Sequence, residues 1–226
     1  YGPVPRESAE EGIACVVKEA RPELYVGQEY AREDYRYVAG IDEVGRGALA
    51  GPVVAAAVML PQSVNPDKLK DIRDSKEVTP ANRETLYKLI MGEAIAVGIG
   101  IVPPQTIDAI NILNATKLAM RQAIEQLHYA PDFLLIDGMT IPKLNIIQKK
   151  IIKGDKLCFS IACASIIAKV TRDHIMVEFS RDYPYYGLEN HKGYGTEYHL
   201  VCLKQHGPSP IHRFSFGPVR ETCKLL

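Results

Sequence analysis

The chain has 226 residues, with 27 Lys and Arg balanced by 27 Asp and Glu for a formal net charge of zero. Hydrophobic residues make up 46% and charged residues 24%, which excludes a disordered or fibrous chain and suits one domain plus a short appendage. The zero balance argues against nucleic-acid binding through bulk charge and leaves room only for a local basic groove.

Residues 1–34 are polar and rich in Glu and Arg, with a short helix possible from Ser8 to Ala20, and read as an N-terminal appendage. The first residue is Tyr1 rather than Met, which leaves room for native residues ahead of it. From Tyr35 the pattern changes, and residues 35–226 read as the main domain. Tyr35–Asp42 predicts a strand, with Tyr37, Val38 and Ile41 as β-formers. Gly45, Gly47, Gly51 and Pro52 mark a turn. Val53–Leu60 is an apolar run of strand length. Thr79-Pro80 reads as a helix N-cap with Pro at the first position, opening a helix to about Met91. Ala94–Ile101 predicts a third strand, closed by Pro103-Pro104. Thr106 to about Leu127 is helical, broken near Asn111–Asn114.

Phe133–Ile136 predicts a fourth strand ending at Asp137-Gly138, and Asn145–Ile152 a fifth. Ser160–Arg181 is a long helix with a very apolar start. Thr196–Gln205 is a last short helix, followed by a Pro-rich tail in a C-terminal helical part from about residue 183. This order of strands and helices suggests a three-layer α/β domain with a mixed sheet.

The five cysteines, Cys15, Cys158, Cys163, Cys202 and Cys223, form no C-x-x-C pair. Reduced thiols, mostly in the core, are therefore expected. The most apolar stretch, Gly47 to Pro61, contains Pro52 and is shorter than the roughly 20 residues that span a bilayer. No signal-peptide pattern stands out, so a soluble cytoplasmic protein without membrane contact is expected. Nothing signals an oligomer, so a monomer is the default.

The chemistry is carried by acids in apolar surroundings, where a carboxylate is costly unless paired or metal-bound. Asp42 and Glu43 close the first strand, and Asp137 ends the run Phe-Leu-Leu-Ile. Asp155 follows Lys153-Gly154, shortly before the apolar helix. Adjacent strand residues point to opposite faces, so Asp42 and Glu43 converge on one ion only if the strand ends or bulges there. Unrelated caps and turn acids are the alternative reading. A carboxylate cluster without His or Cys favours Mg²⁺ or Mn²⁺ over zinc. Two such ions about 4 Å apart are the standard device for phosphodiester cleavage.

Gly45-Arg46-Gly47 adjoins the acidic pair. Its backbone can approach a ligand closely, and Arg46 can meet a phosphate bidentately. A tight turn with Arg46 solvated or pairing an acid explains it equally well. The glycines match neither the G-x-G-x-x-G fingerprint nor a P-loop. Ser165 and Lys169 share a helix face that either lines a substrate groove or simply pairs Lys169 with Asp173. Lys76 is either a phosphate contact or a solvated loop lysine. Lys143, Lys149, Lys150, Lys153 and Lys156 form a candidate basic rim or a solvated face. The histidines His191, His199, His206 and His212 lack zinc spacing and are expected at the surface or at the edge of the substrate.

Asp42-Glu43-Val-Gly-Arg-Gly, followed by Ala-Leu-Ala-Gly-Pro-Val-Val-Ala-Ala-Ala-Val, closely resembles the opening of the ribonuclease HII family. The resemblance continues through Asp74-Ser75-Lys76, Leu135-Ile136-Asp137-Gly138, Lys153-Gly154-Asp155, Ser160 to Val170 and Gly193-Tyr194-Gly195-Thr196. It spans roughly Tyr37 to Phe216 and does not reach residues 1–34. It implies a ribonuclease-H-like fold and makes Asp42, Glu43, Asp137 and Asp155 the metal-binding catalytic carboxylates. It also implies that Gly45, Arg46 and Gly47 sense a ribonucleotide 2′-hydroxyl, and that Tyr194 stacks beside the ribonucleotide–deoxyribonucleotide step. The implied reaction is metal-dependent hydrolysis 5′ to ribonucleotides, in RNA–DNA hybrids and in DNA duplexes with embedded ribonucleotides. It would leave 3′-hydroxyl and 5′-phosphate ends. The alternatives are an inactive nucleic-acid-binding protein and a metal hydrolase of small phosphoesters.

Overall fold

The computed structural model describes residues 35–61, 72 and 78–223. The possible helix from Ser8 to Ala20, the appendage 1–34 and Asp74-Ser75-Lys76 lie outside the described residues.

Five strands form one mixed sheet: β1 (Val38–Val44), β2 (Val53–Met59), β3 (Ala96–Val102), β4 (Phe133–Asp137) and β5 (Ile147–Ile151), in the order β3-β2-β1-β4-β5. β1, β2 and β3 pair antiparallel, while β4 runs parallel to both β1 and β5. Helix α1 (Pro80–Glu93) starts as the sequence indicates, with the Thr79 hydroxyl accepting from the Asn82 N–H. The predicted break in the second helical stretch is real. α2 (Pro104–Ile110) stops at Asn111, whose φ of 65° cannot continue a helix, and the Asn111 side chain then caps α3 (Ile112–Glu125).

A single turn, α4 (Gly154–Leu157), leads into the long helix α5 (Phe159–Asp182). The C-terminal part holds α6 (Leu188–His191), α7 (Glu197–His206) and α8 (Gly217–Thr222). The short helices α4, α6 and α8 escape sequence reading because one turn carries no periodic apolar pattern.

Alternation along the strands sorts the core into two faces. Ala39, Ile41, Ala55 and Ala57 pack against Ala115, Ala119 and Ala123 of α3. Val54, Ala56 and Val58 pack against α1 and the Ala162–Ala168 stretch of α5. A third cluster joins Leu49 and Ala50 to Met176 at the far half of α5 and to Leu188, Cys202, Leu203 and Val219 of the C-terminal part. That third core is why the turn after β1 and the C-terminal helices form one body. Cys158, Cys163 and Cys202 are buried, free thiols, as expected. No described helix is long and apolar enough to cross a membrane.

Glycines are required where a helix lies directly on the sheet, as at Gly100 and Gly40. A Cβ on Gly100 would stand 1.9 Å from the Ala119 carbonyl oxygen, and one on Gly40 would stand 2.2 Å from the backbone of Ser160. Gly40 therefore sets the approach of α5 to β1, next to Asp42. Gly40→Ala is expected to destabilise the fold by about 3 kcal/mol through overpacking. A urea midpoint unchanged from wild type would show that α5 is not seated there.

Candidate active site

Parallel pairing brings the C-terminal ends of β1 and β4 together, with Ile41 opposite Ile136. The next residue on each strand is an acid, Asp42 or Asp137. The strand neither ends nor bulges at the acidic pair. Asp42, Glu43 and Val44 stay in register with Ala56, Ala55 and Val54 of β2. Instead, the β4 ladder stops at Ile41, which opens that flank of β1 and gives both side chains access to the same cleft.

Asp155 reaches the cleft by a different route. Lys153 adopts a left-handed conformation, φ 57°, and turns the chain back after β5. The Gly154 N–H then donates to Asp137 Oδ1 at 2.6 Å. A Cβ on Gly154 would stand 2.6 Å from the Cδ1 end of the Ile161 side chain, which would have to shift to make room. Asp155 follows in the first turn of α4.

The cleft has a volume of about 400 Å³, and Asp42, Glu43, Asp137 and Asp155 line it together with Ser165, Lys169 and Tyr194. Asp42 is 5% exposed and accepts the Glu43 N–H at 2.8 Å. Burial first, then the charge of Glu43, hold the Asp42 carboxyl well above the ordinary carboxylate range, against a hydrogen bond from Ser165. Burial also raises Glu43, opposed by Arg46, whose Nη1 donates to Glu43 Oε1 at 3.0 Å. Glu43 Oε2 is buried with no hydrogen-bond partner. Such an acceptor is costly unless a cation or donor meets it, and hard carboxylate oxygens fit a hard divalent cation.

Among the described residues, no three His, Cys, Asp or Glu are gathered as a ready-made metal cage.

Of the other sequence candidates, the structure gathers most around this cleft. Ser165 and Lys169 present one face of α5, and both readings of Lys169 hold, since it lines the cleft while its Nζ donates to Asp173 Oδ1 at 2.6 Å. Gly45, with φ 90°, and the exposed Arg46 and Gly47 form the turn leaving β1. Tyr194 is half-buried and also lines the cleft. Lys76 lies outside the described residues. The lysines of the proposed rim lie on or near the edge strand β5, with Lys143, Lys150, Lys153 and Lys156 exposed and Lys149 half-buried.

The histidine expectation needs correcting. His199 and His212 are fully buried and bonded to each other, Nε2 to Nε2 at 3.0 Å. Burial pushes both imidazoles down to about 4, so they stay neutral and fit the core. Sequence reading also missed two fully buried arginines, Arg172 and Arg213. The signal for Arg172 was its spacing from Ser165 and Lys169, at i+7 and i+3, which continues one polar stripe along α5. No pattern marked Arg213.

A family model described as ribonuclease HII matches residues 39–219. The chain belongs to the ribonuclease HII family. A ribonuclease HII from Dehalococcoides mccartyi is 51% identical over 195 residues, which is 86% of this chain and 92% of that protein. The solved ribonuclease H2 of Pyrococcus horikoshii OT3 superposes with a TM-score of 0.70 at 28% identity, covering 84% of this chain and 98% of that one. The fold is thus ribonuclease-H-like, as the sequence suggested. Bst-RNase HIII, solved in complex with Mn²⁺, shares that fold with a TM-score of 0.65 at 17% identity, covering 96% of this chain and 81% of that one. This ribonuclease HII family member is a type 2 ribonuclease H, an endonuclease acting on RNA–DNA hybrids, and the family is metal-dependent.

The raised carboxyls make stability depend on pH. Asp42 and Glu43 bind protons more tightly folded than unfolded, so metal-free stability falls as pH rises from the ordinary carboxylate range through their higher folded values. Asp42→Asn keeps an acceptor for the Glu43 N–H but removes the charge. It should raise the metal-free Tm at neutral pH by about 3 °C. The gain should shrink on acidification. A lower Tm at neutral pH would mean that the ionised Asp42 is well compensated without metal.

Proposed function

We propose that Asp42, Glu43, Asp137 and Asp155 are the catalytic carboxylates and hold Mg²⁺ or Mn²⁺, two ions during catalysis. The scissile bond is the phosphodiester 5′ to a ribonucleotide, in RNA–DNA hybrids or in DNA duplexes with embedded ribonucleotides. The products carry 3′-hydroxyl and 5′-phosphate ends. The observation that carries this reading is the orphaned Oε2 of Glu43 beside the buried Asp42 in a cleft shared with Asp137 and Asp155. When bound, such ions supply Lewis acidity and a water activated near neutral pH.

The chain's own groups divide the remaining tasks. Ser165 and the Glu43 N–H hold the Asp42 carboxylate in one orientation. The Gly154 N–H does the same for Asp137. Lys169, tethered by Asp173, presents a cation to the substrate's phosphates, and Lys76 is a further candidate for that role. Gly45, Arg46 and Gly47 read the 2′-hydroxyl, the group that separates RNA from DNA at one nucleotide. Gly47 supports this, because its conformation needs no glycine and no atom lies within 4 Å of an added Cβ. Neither backbone nor packing calls for glycine there, whereas a closely approaching substrate does. Tyr194 offers a base-tolerant stacking surface.

The shared third core supports a catalytic domain over residues 35–226 that includes the C-terminal helices. The chain is read as a monomer, and the buried free thiols of Cys158, Cys163 and Cys202 suit a reducing, cytoplasmic setting.

The test is cleavage of a DNA duplex carrying one ribonucleotide, with Mg²⁺ or Mn²⁺ and with chelator. A metal-dependent nick 5′ to the ribonucleotide, absent on all-DNA duplex, is expected. Asp42→Asn should abolish it while sparing duplex binding, and retained metal-dependent turnover in the pure variant would remove Asp42 from the ligand set. Gly47→Ala should keep the wild-type Tm yet lose about tenfold or more in kcat/KM on that substrate. Undiminished activity would mean that the substrate does not approach Gly47.

A further inference from the structure

The C-terminal tail crosses directly behind the loop and the tyrosine proposed to read the ribonucleotide. Residues 211–213 lie against residues 49–51 in an isolated bridge centred on Ala50 and His212. The Gly51 N–H donates to the Ile211 carbonyl at 2.8 Å, and the Arg213 N–H to the Leu49 carbonyl at 2.9 Å. From this bridge the side chains of His212 and Arg213 reach two different elements.

Arg213 reaches the glycine loop. Its Nε donates to the Gly51 carbonyl and its Nη1 to the Arg46 carbonyl, each at 3.0 Å. Its guanidinium lies 5.1 Å from the centre of the Phe216 ring, and Nη2 is buried without a hydrogen-bond partner. A peptide unit is planar, so fixing the Arg46 carbonyl also fixes the Gly47 N–H of the same unit. Arg172 braces the loop from the other side, donating to the carbonyls of Ala50 and Pro52. It also filled the space that a Cβ on Gly45 would need, 2.2 Å from its Nε. Burying two guanidiniums side by side is unfavourable, and burial and the nearby Arg172 charge push Arg213 down to about 9. Apolar residues would serve packing alone at lower cost. A rigid planar fork is needed only where two carbonyls must be held in register.

His212 reaches Tyr194 through a relay whose tautomers follow from its partners. The Ser209 N–H donates to His212 Nδ1 at 3.0 Å, so the proton of His212 sits on Nε2. That Nε2–H donates to His199 Nε2 at 3.0 Å, which leaves the His199 proton on Nδ1. His199 Nδ1–H donates in turn to the Tyr194 carbonyl at 2.9 Å. Arg172 lies 5.4 Å from the centre of the Tyr194 ring, and the Gly193 carbonyl accepts from the Leu49 N–H at 2.8 Å. Tyr194 is thereby tied to the same loop that Arg213 holds.

We infer that His212 and Arg213 are positioning residues for ribonucleotide selection: Arg213 sets the loop Gly45–Gly47, and His212, through His199, sets Tyr194. This rests on the assignment of that loop and of Tyr194 made above.

The test is steady-state cleavage by the full chain of two substrates, a DNA duplex with one ribonucleotide and an RNA strand paired to DNA. Wild type is compared with Tyr194→Ala, His212→Leu, His212→Gln and Arg213→Lys, with Tm measured alongside. His212→Leu should shift the ratio of kcat/KM between the substrates in the same direction as Tyr194→Ala, by about tenfold. His212→Gln, which keeps a donor near the Nε2 position, should restore most of that ratio. Arg213→Lys should lower kcat about tenfold with KM within about twofold, because one ammonium cannot reproduce the fork. Losses that only track a fall in Tm, with the substrate ratio and the kcat-to-KM split unmoved, overturn the inference. If Tyr194→Ala shifts the ratio and His212→Leu does not, the relay is wrong and the site assignment stands. If Tyr194→Ala itself leaves the ratio unmoved, the site assignment of Tyr194 fails and the His212 role fails with it.

Discussion

Carboxylates are gathered here at a point where the sheet cannot shield them. β1 and β4 run parallel, their shared ladder stops at Ile41 and Ile136, and an acid follows immediately on each strand. Asp42 and Asp137 are therefore neighbours although one lies early in the chain and the other past its middle. The Gly154 turn then anchors on Asp137, and α5 settles over Gly40 to place Ser165 against Asp42. The arrangement follows the general rule that open α/β sheets bind ligands beyond the carboxyl ends of their strands.

Such a site works against folding. Asp42 and Glu43 are buried, mutually repelling and held above their ordinary proton affinity. A chain selected only for stability would place amides or apolar residues there. The same tension recurs behind the cleft, where Arg172 and Arg213 are buried near each other. Their donors go mainly to backbone carbonyls of residues 46–52 and Lys192 rather than to acids. Breaking one such contact strands either a buried cation or a buried carbonyl, so the loop is held more firmly than its glycines suggest.

Much of the site was legible because its residues sit in short local patterns. Asp42-Glu43 lies near the end of a strand, Asp137 ends an apolar run, and Asp155 follows Lys153-Gly154 just ahead of the apolar helix. Thr79 caps its helix where the sequence placed it, because capping depends on a few consecutive residues. Lys169 could not be settled locally, because pairing with Asp173 and lining the cleft are compatible and only the packing of α5 shows both. The histidines were misplaced for a related reason. Exposed and buried imidazoles look alike in sequence, and what buries His199 and His212 is a core assembled from Leu49, Met176 and three C-terminal helices.

The amino-acid sequence by itself determined the strands and longer helices, the family resemblance and the candidate acids of the site. These follow from hydrophobic period, turn formers and motifs within a few residues of one another. Only the tertiary structure decided that Asp42 and Glu43 share a cleft without a bulge, since that depends on where the β4 ladder stops. It also decided that Arg172, His199, His212 and Arg213 stand behind the glycine loop and Tyr194. Their hydrogen bonds join residues far apart in the chain, and no local pattern encodes a contact that forms only when the sheet, α5 and the C-terminal helices meet.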